Sequence, residues 1–282
     1  MGIFMFEELL KTLQTNGIKK GEILYIPSDI TQLLFYARKN YGITTNDKRN
    51  EFLNNLVDTF KIAVGNDGTL LFPIFTWDFN KGITFDVRKT LGKVGSLPNW
   101  ILQNRTDFIR TQHPMYSFMV WGKDAEILAN MNNVDCWGQY SPFGYMHRNN
   151  AKVLFLDVSV QRGFTFLHYV EESLQVPYRY YKNFRGDYID YEENKTNRNY
   201  VMYVRDLAIN TEEYMPDSFF EERKILHRFL WNDLQLKTMY CYDAFEVIKD
   251  DFYNNGGRNM YHYKNYEIDW NGGHTHADEI SN

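Results

Sequence analysis

Apolar positions along this chain follow two rhythms. Phe6, Leu9, Leu10 and Leu13 recur at helical spacing and stop at Asn16-Gly17, where a left-handed residue can end a helix. A short apolar run, Glu22 to Ile26, then enters Pro27-Ser28-Asp29 and predicts a buried strand leading into a loop. A second helical pattern passes through Leu33, Leu34 and Tyr36. The clearest one places Phe52, Leu53, Leu56, Val57 and Phe60 on one stripe. After the turn Gly65-Asn66-Asp67-Gly68, Thr69 to Phe75 is a second continuous apolar strand. Strand, helix, strand in that order predicts a parallel βαβ unit with helices covering a sheet.

From Thr76 to Thr111 the pattern weakens into a long stretch rich in Gly and aromatics, and a loop of that size in a compact fold is usually functional. Tyr116 to Trp121 predicts a strand, Ala125 to Met131 a helix, Lys152 to Leu156 a third buried strand, and Phe164 to Gln175 a helix. Tyr188 to Tyr191 and Tyr200 to Val204 flank the polar turn Glu193 to Asn197 and predict an antiparallel hairpin. Two more helices are expected, Ser218 to Trp231 and Asp243 to Asn255, before a Gly-, His- and Asn-rich tail. The expected class is α/β: a central, mostly parallel sheet flanked by helices, with a small antiparallel hairpin and a C-terminal helical part.

Composition narrows the class. Of 282 residues, 31 are basic and 36 acidic, giving a formal charge of −5, with 44% apolar and 24% charged. Such a chain folds rather than staying disordered, and at this length it can bury roughly 75% of its extended surface. We therefore expect a single domain over 1–282, with a core of about 15–185, an extension over 186–270 and a flexible tail over 271–282. Cys136 and Cys241 have no ligand or disulfide spacing, which points to a reducing cytoplasm. No leader-like start and no run of about 18 apolar residues predicts export or membrane insertion. Lys and Arg form no cluster of the kind that neutralises nucleic-acid phosphates. The aromatic share, 17%, fits cores, interfaces and planar ligands alike.

The segment richest in chemistry is Thr165 to Glu172. On a helix His168 and Glu171 are three residues apart on one face, with Thr165 a turn earlier. A carboxylate on one imidazole nitrogen fixes the tautomer and raises the basicity of the other, as a general base requires. On spacing alone, a surface His-Glu pair is the commoner reading. In Arg110 to Phe118, Pro114 holds His113 in an extended turn, where Arg and hydroxyl groups could bind phosphate or simply cap the turn. Ser28-Asp29 and Thr76 follow strands at their carboxyl ends, where open α/β sheets bind ligands. Tyr178, Tyr180, Tyr181 and Phe184 could stack on a planar group or pack. No metal centre is expected, since His274-Thr275-His276 with Asp278 falls in a terminal tail.

Taken in order, these segments resemble the aminoglycoside 3-N-acetyltransferase family, possibly a glycan-biosynthesis member. The family pattern is a strand into a His-Ser-Ser loop, a Gly-Thr-apolar-Pro strand, an Arg-Ser-x-His-Pro-x-x-Ser turn, a Ser-Pro element and a Thr-x-x-His-x-x-Glu helix. Here it is similar to Ile26 to Asp29, Gly68 to Pro73, Arg110 to Ser117, Ser141-Pro142 and Thr165 to Glu171, over about residues 15 to 185. Pro27 and Asp29 depart from the family's His and second Ser, and Thr111 from its Ser.

The resemblance implies direct acetyl transfer from acetyl-CoA, with no metal, to an amino group. His168 would be the base and Glu171 its orienting partner. Ser28, Asp29, Thr76, Arg110, Thr111, His113 and Ser117 would meet the CoA arm or the reacting oxygen. Trp77, Asp78, Glu172, Tyr178 and Arg179 would meet the acceptor. Mild acidity, with Arg179, Lys182 and Arg185 interleaved among aromatics, favours a nucleotide-linked amino sugar of surface-glycan biosynthesis as acceptor. The alternatives are an aminoglycoside, with antibiotic resistance as the outcome, and a catalytically silent relative that binds a ligand or partner. A homodimer fits any of these, and neither nucleic acid nor membrane is an expected partner.

Overall fold

The computed structural model describes residues 2–209 and 211–273. No helix among them is long and apolar enough to cross a membrane. Its strands in chain order are β1 (Ile23–Tyr25), β2 (Thr69–Pro73), β3 (Phe85–Asp86), β4 (Ile109–Arg110), β5 (Phe118–Gly122) and β6 (Lys152–Leu156), then β7 (Arg179–Ile189), β8 (Lys195–Arg205), β9 (Thr211–Glu213), β10 (His227–Trp231), β11 (Leu234–Tyr240) and β12 (Tyr261–Tyr263). Seven of these form one sheet in the order β10-β11-β6-β1-β2-β5-β4. β1 runs parallel to both β2 and β6. The outer pairings on both sides are antiparallel. The expected parallel unit is thus the centre of a mixed sheet.

β2 and β6 are buried at every position because alternate side chains enter two different cores. Leu24, Leu70, Phe72, Leu154 and Leu156 pack under the helices Gly2–Thr15, Asn46–Val64 and Ser96–Asn104. Tyr25, Leu71, Val153 and Phe155 face the other way, toward the helices Pro142–Arg148, Phe166–Leu174 and Cys241–Asn255. Two-sided burial is the reason these strands read as unbroken apolar runs. It also leaves ligands only the strand ends, where the chain turns out through Pro27-Ser28-Asp29 and after Pro73 and Leu156.

The segment expected to be one helix from Ser218 to Trp231 divides into the helix Asp217–Glu222 and the strand β10. β10 turns through Asn232 and Asp233, both at positive φ, 48° and 63°, into β11. That is the geometry of a two-residue hairpin, which Asn and Asp tolerate well, and here it overrides helical spacing. β11 then pairs with β6, so the extension past residue 185 completes the central sheet. The long stretch from Thr76 to Thr111 holds β3, the helix Ser96–Asn104 and β4. The expected hairpin is longer than its polar turn suggested, pairing from Arg179 with Arg205 to Ile189 with Lys195. Asp190 fixes the turn by accepting the N–H groups of Glu192 and Asn194.

Candidate active site

The helix Phe166–Leu174 starts at Thr165 and closes at Gln175 in the left-handed region. It buries Glu171 and Glu172 along with its apolar face, and buried carboxylates need partners. Glu171 has three. Its Oε2 lies 2.7 Å from Nδ1 of His168 and 2.8 Å from the Arg179 guanidinium, while Oε1 accepts the Tyr178 hydroxyl at 2.6 Å. Arg179 in turn donates to the Tyr203 carbonyl at 2.9 Å and to the Tyr261 hydroxyl at 3.3 Å. Burial by itself raises the Glu171 pKa, but the Arg179 charge and the bonds from His168 and Tyr178 overcome it and bring it to about 2. Glu171 is therefore an ionised carboxylate inside the protein.

An ionised carboxylate can only accept, so a proton on His168 Nδ1 would satisfy Glu171 and leave the Nε2 lone pair free, whereas the Arg179 guanidinium, 3.0 Å from the same Nδ1, is a donor that would favour the other tautomer. Nε2 makes no hydrogen bond to the described residues, and the side chain is 20% exposed. One ring face rests on Trp137, at 4.8 Å between centroids. Trp137 lies edge-on to Tyr116 at 4.8 Å, and Tyr116 edge-on to Trp77 at 6.3 Å, with the Trp77 indole N–H donating to the Tyr116 hydroxyl. An aromatic row thus links His168 to Trp77, which is 37% exposed.

Next to Glu171 on the same helix, Glu172 is buried with its Oε2 unpartnered among the described residues. Burial and the nearby Asp135 carboxylate push Glu172 up to about 8, and burial raises Asp135 too. The two carboxyls make a locally acidic spot that composition could not reveal.

At the carboxyl ends of the parallel strands lies a cleft of about 430 Å³, lined by Tyr25, Ser28, Asp29, Phe75, Gly95 and Thr165, with Lys93 and Arg162 among its walls. Thr165 connects this cleft to the helix that carries His168. The Asp29 N–H is bonded to the Leu156 carbonyl and its carboxylate accepts the Thr31 N–H, which lowers the Asp29 pKa. Of that turn, Ser28 also lines the cleft. Lys93 is paired with Asp78 at 3.0 Å.

Several expected contacts are scaffold instead. Arg110 is 1% exposed and donates to Ser117 Oγ and to the carbonyls of Ile74, Val87 and Thr90, with its guanidinium 4.7 Å over the Phe85 ring. The Thr111 hydroxyl accepts the Phe118 N–H, and Ser117 donates to the Ile74 carbonyl. His113 accepts two backbone N–H groups at Nδ1, and burial pushes it down to about 3. These four lock the turn between β4 and β5 and line no part of the cleft. Thr76 is fully buried and caps the Asp78 N–H. Tyr178, also fully buried, cannot stack on a ligand, and Arg179 is occupied by Glu171. An isolated segment cannot show this, because whether an Arg or Tyr faces solvent depends on the sheet packed over it. Sequence reasoning missed Trp137, Asp135, Tyr261, Lys93 and Arg162. Only Lys93 had a local signal, a cation two residues before the glycine and helix start Gly95-Ser96. Among the described residues no group of three His, Cys, Asp or Glu side chains is arranged for a metal, and the His274 to Asp278 tract lies outside them.

A profile of the family described as aminoglycoside 3-N-acetyltransferase matches residues 47–253. No curated protein matches the chain. Among solved structures, the YokD protein from Bacillus subtilis superposes with a TM-score of 0.68 at 18% identity, covering 89% of this chain and 99% of that one. The aminoglycoside acetyltransferase AAC(3)-IVa apoenzyme gives 0.65 at 17% identity, covering 90% and 88%. A binary complex of AAC-IIIb with CoASH gives 0.68 at 15% identity, covering 87% and 96%.

Two outcomes test these placements. Arg110→Met should destabilise the fold by about 1–3 kcal/mol, since buried carbonyls lose their donors, and leave acetyl-CoA affinity unchanged; weaker binding at unchanged stability would return Arg110 to the ligand site. Glu172 holds a proton in the fold up to about 8 that the unfolded chain releases near 4.5, so native stability falls as pH rises between those values. Thermal melting of Glu172→Gln should exceed the parent most at pH 8 and converge with it toward acid, whereas a pH-independent difference would contradict a buried proton.

Proposed function

The chain belongs to the aminoglycoside 3-N-acetyltransferase family, and on that premise we propose that it transfers acetyl from acetyl-CoA to an amino group of a polycationic amino sugar, with His168 as general base. The observation that carries the reading is the His168 ring fixed at Nδ1 by an ionised, buried Glu171; His168 is not part of the cleft lining but lies one helical turn after Thr165, which is. A solved relative of the same fold is named as a complex with CoASH, and the cleft with Lys93 and Arg162 suits a pantetheine arm followed by phosphates.

The amine attacks the thioester carbonyl, the N–C bond forms, and His168 Nε2 takes the amine proton while Glu171 holds the ring through Nδ1. The carbonyl oxygen becomes negative as the C–S bond weakens, and Ser28, which lines the cleft, would be its donor. The proton then passes from His168 to the departing thiolate. Thr76, buried away from the cleft, has no part in this.

The charge pattern bears on the acceptor. Of the three cations behind the nucleotide-linked reading, Arg179 is ion-paired inside the protein. Lys182 and Arg185 stand exposed on β7, and Tyr178 is closed off. What does lie near the base is the Glu172–Asp135 pair, which a cationic acceptor would relieve. Relatives of this fold are named as complexes with sisomicin and with a gentamicin. These points favour an aminoglycoside-type acceptor over a nucleotide-linked sugar.

Free-thiol release with acetyl-CoA should appear with gentamicin-type aminoglycosides and not with nucleotide-linked amino sugars, and His168→Ala should lower kcat by about 10²–10⁴. Release with nucleotide-linked sugars alone would overturn the acceptor, and an undiminished His168→Ala rate would overturn the base.

A further inference from the structure

We propose that Arg179 is a positioning residue of the reaction: its guanidinium neutralises Glu171, so that Glu171 can hold the His168 ring without trapping a proton on it. The inference rests on His168 being the base. It starts from a conflict that any buried carboxylate creates. A lone carboxylate beside an imidazole in a dry interior orients the ring, but it also draws a proton onto the pair, because the neutral sum is the cheap one to bury. A base that is already protonated cannot accept from the amine.

The geometry resolves the conflict. Arg179 lies 2.8 Å from the same Glu171 oxygen that meets His168 and 3.0 Å from His168 Nδ1. With Glu171 and Arg179 paired, the site is neutral while the imidazole is neutral. Adding a proton to the ring would then leave a net positive charge in the interior. The other titratable groups around the pair are Tyr178, Tyr203, Tyr261 and Tyr263, whose pKa values burial raises, Glu172 on the same helix, which burial and Asp135 push up to about 8, and Asp135 itself, which burial raises. The tyrosines and the protonated Glu172 supply no charge at neutral pH and Asp135 can supply only a negative one, so Arg179 is the balancing cation.

Arg179 is itself held by parts of the chain distant in sequence. Its guanidinium donates to the Tyr203 carbonyl on β8 and the Tyr261 hydroxyl on β12, and lies 5.9 Å over the Trp137 ring. β12 pairs with β9, so the C-terminal segment supplies the clamp that aims the cation. This assigns a role in catalysis to a region that the family motifs do not reach.

The test compares pH profiles of kcat/KM for the parent, Arg179→Lys and Arg179→Gln, with acetyl-CoA KM and thermal melting measured alongside. Arg179→Gln should move the acidic limb upward by roughly one to three pH units, with activity recovering at alkaline pH and acetyl-CoA KM unchanged. Arg179→Lys, which keeps the charge but cannot reach Tyr203 and Tyr261 together, should lose rate while the limb stays at the parent position. A limb that stays put in the Gln variant, with rate lost equally at every pH, would reduce Arg179 to a structural role and overturn the inference. Should the Gln variant fail to fold, Arg179→Met, which keeps an aliphatic stem without the charge, takes its place with the same two readings: an upward-moved limb supports the inference and an unmoved limb overturns it. His168→Ala separates the underlying reading, since its undiminished activity would remove the base itself, whatever Arg179 does.

Discussion

The buried Glu171 carboxylate is the constraint around which the rest of the site is arranged. A charge inside a protein survives only with partners, and removing one partner of a buried pair typically costs about 3–5 kcal/mol. Here the support comes from four places: His168 on the same helix, Tyr178 just after it, Arg179 at the start of β7, and Tyr261 behind Arg179 on β12. The demand that one carboxylate be satisfied therefore brings the C-terminal strands against the helix of His168. An acceptor-only oxygen at Nδ1 is met by a ring N–H there, the tautomer that leaves the Nε2 lone pair free.

The sheet explains why this helix lies where it does. Burial of β1, β2 and β6 on both faces leaves their carboxyl ends as the openings for a ligand, and the helix Phe166–Leu174 follows β6 from that edge. Thr165 lines the cleft and His168 follows one turn later, so the cleft and His168 are joined by a single rigid element. Glu172, next along the same helix, has its pKa held up by burial and by Asp135.

Much of this was legible in the sequence, and the parts that were not share a cause. The runs Thr69 to Phe75 and Lys152 to Leu156 identify buried strands because burial on two faces removes every polar position. His168 and Glu171 were readable because their contact is local, set by helix geometry alone. Arg110 and Arg179 were not, because an arginine beside aromatics reads the same whether it meets a phosphate in solvent or a carbonyl in the core. Arg110 faces Ile74, Val87 and Thr90, and Arg179 faces Glu171, Tyr203 and Tyr261, all pairings that only the folded sheet creates. β10 and β11 were hidden for a related reason: the helical spacing of Ser218 to Trp231 is overruled at Asn232-Asp233, where two positive φ angles turn the chain back. The weak net charge misled in the same way, since two carboxyls brought together count for more at a site than the sum over 282 residues.

The central claim is that the ion-paired Glu171 holds His168 as a neutral imidazole protonated at Nδ1. Nitrogen-15 NMR of histidine-labelled protein at pH 8, with His168 assigned by its Ala variant, reads this directly. The account predicts a bonded proton on Nδ1 and an unprotonated Nε2. A proton on Nε2, or an imidazolium persisting at that pH, would contradict it.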